Sequence, residues 1–233
     1  MSAVRKTKHY MTFLSLVLVF VVILSTEARA DLYGFKNITN NLAGDAAIGE
    51  AQLFVDVTDP GGGQVLFTFS NIGPEASSIT DIYFDDGPLL GPPTVIDSPP
   101  GTSFSLFASP PNLPGWSTMV PPFEATAGFS ADSDPPAQPY GVNPGESMGI
   151  LFDLEGTNTF ANVIDAINLG FTQPSDPSDP LDPWFSDSLR VGIHAQGFDS
   201  GGSEGYIMTP VPGAVILGIL GLGVAGWKLR KFA

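Results

Sequence analysis

The chain has no cysteine, which excludes disulfides and thiolate metal sites, so the folded part must rely on its own hydrophobic core. It is also poor in basic residues. Between positions 31 and 209, 23 Asp and Glu residues face only Lys36 and Arg190, which leaves a net charge of −21. Such a surface repels nucleic acid and anionic lipid headgroups and attracts divalent cations. Histidine catalysis is almost excluded as well, because His194 is the only histidine after the first thirty residues.

The first thirty residues have the three parts of a secretory signal. A basic stretch comes first, with Arg5, Lys6 and Lys8. An uncharged apolar run from Met11 to Leu24 follows, and small residues at Ala28 and Ala30 are suited to signal peptidase. We therefore expect the mature chain to begin at Asp31. The alternative is an uncleaved anchor, although an apolar run of about 14 residues is short for a membrane span.

The last part of the chain predicts a transmembrane helix. Residues 211 to 227 carry no charge, and a helix of that length would cover about 25 Å at about 1.5 Å per residue. A basic cluster follows at once: Lys228, Arg230 and Lys231. Basic residues that flank a span tend to stay in the cytoplasm, so the middle domain is expected outside it. The alternative is a buried core helix, but the segment lacks the polar residues at helical spacing that such a helix would show.

This tail resembles the PEP-CTERM sorting signal of exported bacterial proteins. Its parts here are Pro210-Val211-Pro212, an apolar helix rich in Leu and Gly, and the terminal basic cluster. The chain departs from the family pattern at Val211, where the family usually has glutamate. The resemblance implies export in a Gram-negative bacterium that makes extracellular polysaccharide, with recognition and cleavage of the tail by the membrane protease exosortase. It implies nothing about the ligand of the middle domain.

The sequence therefore divides into a signal peptide (1–30), an acidic extracytoplasmic domain (31–209) and a sorting tail (210–233). Five strand-like runs and no βαβ alternation in the middle predict an all-β fold, a β-sandwich of the jelly-roll or Ig-like kind. The runs are Gln52–Val57, Gln64–Phe69, Ile79–Phe84, Met148–Leu154 and Leu189–Phe198. A glycine-rich turn predicts a hairpin between the first two. One short helix is expected at Phe160–Leu169, where the apolar residues follow helical spacing.

Between Pro88 and Pro144 the chain contains 14 prolines, five of them followed directly by another proline. Proline pairs exclude helix and central strand, so this segment is predicted to be mostly loop. Short strands are expected between the pairs, at Ser103–Ala108 and Ala125–Ser130.

Two kinds of ligand contact are considered for the middle domain, each beside a structural alternative. Calcium is the possible cofactor, with candidate ligands Asp85, Asp86, Asp176, Asp179 and Asp182. The last three recur every third residue beside prolines, which suits polyproline II, but the rise of that helix would space them about 9 Å apart unless a turn gathers them. Solvated acidic loops are the alternative.

Trp116 and Trp184 lie in proline-rich loops and could stack on sugar rings, or else could close the end of the core.

Three functional hypotheses follow. The first is a non-enzymatic surface or matrix protein, exported and either membrane-anchored or released to the cell surface, with signal peptidase, an exosortase-like protease and the membrane as partners. The second is a carbohydrate-binding or adhesion module for extracellular polysaccharide. The third is a secreted hydrolase, which needs two acids about 5 to 9.5 Å apart. Its candidate acids are Asp85 with Asp86, Asp153 with Glu155, and Glu146.

Overall fold

A computed structural model describes residues 30–97, 101–179 and 181–211. Strands dominate these residues, which confirms the all-β prediction. The strands are β1 (Ala30–Asn37), β2 (Leu53–Thr58), β3 (Gln64–Asn71), β4 (Ser78–Asp86), β5 (Leu90–Asp97), β6 (Phe104–Leu106), β7 (Ser130–Ser133), β8 (Ser147–Leu154), β9 (Leu189–Gln196) and β10 (Glu204–Pro210). The helices are α1 (Ala43–Gln52), α2 (Ala137–Tyr140), α3 (Phe160–Gly170) and α4 (Pro183–Asp187), and Trp116–Thr118 form a 3₁₀ turn.

All ten strands belong to one antiparallel sheet, in the order β5-β8-β3-β2-β1-β10-β9-β4-β7-β6. The sheet folds over on itself, and as a result its two edge strands, β5 and β6, contact each other. Rings from opposite halves meet inside the fold. The centroid of Phe84 lies 5.0 Å from that of Phe67 and 4.8 Å from that of Phe152. The core is therefore enclosed between two halves of a continuous sheet.

Alternation of side chains explains why β3 forms and which face it buries. Its buried residues are Val65, Phe67, Phe69 and Asn71, and the residues between them are half exposed. Successive strand residues point to opposite faces, so this period of two puts the aromatic side chains on one face. The predicted hairpin is confirmed, since β2 pairs with β3 along its whole length.

Strand β4 differs, because both of its faces are buried from Ser78 to Phe84. Its inner face joins the main core, and its outer face is covered by the proline-rich segment 107–126. A second apolar cluster lies under that segment, formed by Tyr83, Ala108, Leu113 and Phe123. The proline-rich segment is thus a packed cover over the sheet.

Two details of the proline-rich region depart from the prediction. Strand β5 includes Pro92 and Pro93, which the fold tolerates because β5 is an edge strand and needs no ladder hydrogen bond on its outer side. The strand expected at Ala125–Ser130 is wrong. The chain forms a turn there, in which Phe129 donates its backbone N–H to the carbonyl of Thr126 at 2.9 Å, and β7 begins only at Ser130.

The expectation of a single helix is also wrong. The predicted helix is present as α3, and its first turn is closed by reciprocal hydrogen bonds between Thr159 and Asn162. Helix α1 is additional, and its two glycines weaken the helical signal in the sequence. Gly49 is required there, because a Cβ at that position would lie 2.2 Å from the hydroxyl oxygen of Tyr206.

Both ends of the described chain lie side by side. Strands β1 and β10 are antiparallel neighbours, and Tyr33 near the start pairs with Pro210 at the end. We call this end of the molecule the proximal pole and the opposite end, with Asn37 and Glu204, the distal pole. No helix among the described residues is long and apolar enough to cross a membrane. The predicted transmembrane segment falls, apart from Val211, outside those residues.

Candidate functional site

The five candidate calcium ligands do not form one group. Asp85 and Asp86 end strand β4, whereas the other three lie in the loop before α4. Asp85 forms an ion pair with Arg190, and the Oδ2 atom of Asp86 accepts the backbone N–H of Leu90 at 3.0 Å. Across the residues that the structure describes, no set of three or more His, Asp or Glu side chains is arranged to hold a metal ion. Calcium binding stays a prediction.

The Asp-Pro segment forms turns, so the polyproline II interpretation is wrong. The backbone N–H of Asp179 donates to the carbonyl of Asp176, and that of Asp182 donates to the carbonyl of Asp179. Asp182 caps helix α4 by accepting the backbone N–H of Trp184 at 2.9 Å. The hydroxyl of Ser175 and the backbone N–H groups of Trp184 and Asp176 lower the pKa of Asp182 to about 2. Its carboxylate is therefore committed to local structure.

The two tryptophans have different environments. Trp184 is only 4% exposed, and its indole N–H donates to the carbonyl of Leu169 at 3.0 Å. The guanidinium carbon of Arg190 lies 5.0 Å from the centre of its ring. Trp184 therefore closes the end of the core, which was the alternative to sugar stacking, and the guanidinium of Arg190 occupies a face of its ring. Trp116, in the 3₁₀ turn, is 37% exposed.

Arg190 is a buried charge with several polar partners. It is 8% exposed, and its guanidinium pairs with Asp85. It also donates to the carbonyls of Pro121, at 3.0 Å, and Pro122, at 2.6 Å. The ring of Phe123 lies 5.4 Å from the guanidinium carbon, on the cover segment. Its Nε atom is buried without a hydrogen-bond partner. Arg190 therefore joins strand β9, strand β4 and the proline-rich cover.

A cleft of about 370 Å³ opens beside this residue, and we call it the Arg190 cleft. Its ring-bearing lining residues are Pro121, Pro122, Pro177, Trp184 and Phe185. Its polar lining residues are Asp85, Glu124, Ser178, Ser188 and Arg190 itself. Phe185 is 37% exposed, and its ring packs edge-on against Trp184 with 5.4 Å between centroids. Burial raises the pKa of Asp85, although Arg190 opposes the shift.

A second concavity of about 320 Å³, the Asp86 cavity, is acidic. Asp86, Asp165 and Asp187 line it together with Asn158 and Asn162. Burial raises the pKa of Asp86 to about 7 against the opposing hydrogen bonds from Leu90 and Leu89, and the charge of Asp85 adds to the rise. A carboxylic acid of that kind can serve as a general acid in glycosidases, so under the hydrolase hypothesis the Asp86 cavity would be the active site.

His194 is half-buried on β9 and pairs with a carboxylate. Its Nδ1 atom lies 2.8 Å from the Oδ2 atom of Asp81, which also accepts the hydroxyl of Thr80 at 2.9 Å. Asp81 is opposite His194 on one neighbouring strand and opposite Asp132 on the other. His194, Asp81 and Asp132 therefore form a row of polar residues across three neighbouring strands.

Among the residues of the Arg190 cleft that were not identified from the sequence are Arg190 and Phe185. Arg190 could have been singled out, because it is the one arginine in an acidic domain and stands in an alternating apolar strand. A buried ion pair is the usual reason for such a placement. Phe185 had no signal of its own, since its exposure depends on how α4 packs against Trp184.

Three of the predicted sorting and cleavage residues lie within the described part of the chain: Ala30, Pro210 and Val211. Ala30 begins β1 opposite Thr58, and Pro210 is the last residue of β10. Val211 follows directly in the chain. The remaining sorting and cleavage residues fall outside the described residues: Ala28, Pro212, Lys228, Arg230 and Lys231.

Comparison of the chain with protein-family models, with curated proteins and with solved structures gave no match.

Proposed function

We propose that the chain is an exported, non-enzymatic surface or extracellular-matrix protein that is sorted or anchored through its PEP-CTERM-like tail. The secretory features of residues 1–30 and the apolar tail with its basic end support this assignment. In this proposal the folded-over sheet serves as a β-sandwich module of the jelly-roll or Ig-like kind, displayed outside the cytoplasm.

The observation that carries the proposal is the position of the two chain ends. Tyr33 pairs with Pro210, so the leader and the tail both attach to the proximal pole. Asp31, the expected first residue of the mature chain, already pairs with Val57 inside the sheet. Removal of residues 1–30 takes only Ala30 from β1, and removal of residues 211–233 takes none from β10, so all ten strands remain. A module that is processed at both ends during export needs this property.

The charge distribution also supports a domain held away from nucleic acid and anionic lipid. Among the described residues, Lys36 and Arg190 are the only Lys or Arg. Each is paired, Lys36 with Glu50 at 2.8 Å and Arg190 with Asp85. The remaining acids leave the surface strongly negative, which favours solubility in an extracellular matrix and opposes contact with an anionic bilayer.

Topology can be tested with a fusion to alkaline phosphatase, an enzyme that is active only outside the cytoplasm. We join it after Pro210, in place of residues 211–233, and express the fusion in a Gram-negative host. High phosphatase activity is expected, and the matched fusion without residues 1–30 should have almost none. Equal activity of the two fusions, or no activity of either at equal protein levels, would overturn the export assignment.

A further inference from the structure

We propose that the Arg190 cleft binds neutral sugar units of a polysaccharide, with Phe185 as the surface on which a sugar ring stacks. This goes beyond the sorting function, because it assigns a ligand class and a binding site to the folded domain. It is independent of whether the tail is cut.

The shape of the cleft supports a ring-shaped ligand. Pro121, Pro122 and Pro177 have closed rings that lose little conformational entropy on binding. The ring of Phe185 is held in place by Trp184, which packs edge-on against it and is itself fixed by the hydrogen bond to Leu169. A volume of about 370 Å³ accommodates one or two pyranose rings beside these ring-bearing residues.

The polar groups of the cleft define which ligand atoms can pair with them. Asp85 and Glu124 present carboxylate oxygens, which only accept hydrogen bonds. The indole N–H of Trp184 is already used by Leu169. A ligand must therefore donate, and sugar hydroxyls donate. A proline-rich peptide offers mainly carbonyl acceptors and fits this set poorly.

The charge of the site excludes acidic sugars. One carboxylate of the cleft, Asp85, is balanced by Arg190, but Glu124 is exposed and forms no ion pair with another described residue. A uronate or a sulfated sugar would bring a second negative charge into a cleft of a domain whose net charge is already −21 between positions 31 and 209. Neutral hexoses carry the required hydroxyls without this repulsion.

The test is affinity electrophoresis of the full-length chain in a detergent without a sugar headgroup. The gels contain a neutral glucan, mannan or galactan, or the polyuronate alginate as the acidic comparison. We compare the native chain with Phe185→Ala, Phe185→Tyr and Trp116→Ala. Trp116 is the matched control, because it is 37% exposed like Phe185 but does not line the cleft.

We expect at least one neutral polymer to retard the native chain, Phe185→Ala to weaken that binding about tenfold or more, as loss of an aromatic anchor does, and Phe185→Tyr to retain it. Trp116→Ala should bind like the native chain. Unfolding temperatures of the variants confirm that each is folded. Four results would overturn the proposal: retardation by no neutral polymer, tighter binding to alginate, unchanged binding of Phe185→Ala, or displacement of the polymer by a proline-rich peptide.

Discussion

Replacing Arg190 with methionine is expected to lower the free energy of unfolding by about 3–5 kcal/mol, the usual cost of removing one partner from a buried ion pair. Arg190 is 8% exposed, and its removal leaves Asp85 without a cation. The carbonyls of Pro121 and Pro122 lose their donor in the same change. Methionine retains the length of the apolar stem, so the loss reports mainly the polar contacts and the cation over Trp184.

Urea unfolding measures this loss, and Lys36→Met is the matched control. Lys36 also forms an ion pair, but its side chain is 66% exposed, and exposed pairs contribute only about 0–1 kcal/mol. The double variant Asp85→Asn with Arg190→Met should recover part of the loss, because the unpaired carboxylate is then absent. Equal losses for Arg190→Met and Lys36→Met would contradict the role assigned to Arg190.

The Arg190→Met loss should also depend on pH. Burial already raises the pKa of Asp85, and Arg190 opposes that rise. Without Arg190 the folded-state pKa rises further above its value in the unfolded chain. A folded state that binds the extra proton gains stability as the pH falls, so the difference from the native chain should shrink toward acidic pH.

Replacing Glu204 with glutamine is expected to cost about 2–4 kcal/mol, because hydrogen bonds to a charged acceptor contribute about 1.5–3 kcal/mol each. Glu204 is 1% exposed at the distal pole. Its two oxygens accept hydrogen bonds from four donors: the side chains of Asn37 and Thr39 and the backbone N–H groups of Asn41 and Leu42. A glutamine amide would point an N–H at one of these donors. The loop that leads into α1 would lose its anchor.

Thermal and urea unfolding of Glu204→Gln should be compared with Glu75→Gln, an exposed glutamate for which a change below about 0.5 kcal/mol is expected. Burial alone would raise the pKa of Glu204, but its hydrogen bonds outweigh burial and hold the pKa below the ordinary value. The stabilisation is therefore present at neutral pH and is lost as the pH falls through this lowered pKa. A native-like Glu204→Gln at pH 7 would show that the network contributes little.

The strands that sequence patterns predicted are those with strict alternation or dense apolar runs. Strand β3 was predicted within two residues at one end because Val65, Phe67 and Phe69 alternate. Strands β1 and β10 were not predicted. They contain Gly34 and Gly205, and their strand character depends on pairing with each other across the whole chain. Local patterns do not contain that long-range information.

The candidate site shows the same limit. Trp184 was identified from its residue type and its proline-rich surroundings, but the packing of α4 buries it and leaves Phe185 exposed. Asp85 was considered as a calcium ligand, and it is held instead by Arg190, which is 105 positions away in the chain. Residue type indicated which chemistry was present, whereas the folded sheet decides which groups meet and which one faces solvent.

The most direct test of the sorting function is the intact mass of the native protein from the cytoplasmic, membrane, periplasmic and culture-medium fractions. The proposed function predicts a species that begins at Asp31 and ends near Pro210 or Pro212, at the cell surface or in the medium. A membrane species from Asp31 to Ala233 would support anchoring but contradict cleavage of the tail. A chain that retains Met1 in the cytoplasmic fraction would contradict export itself.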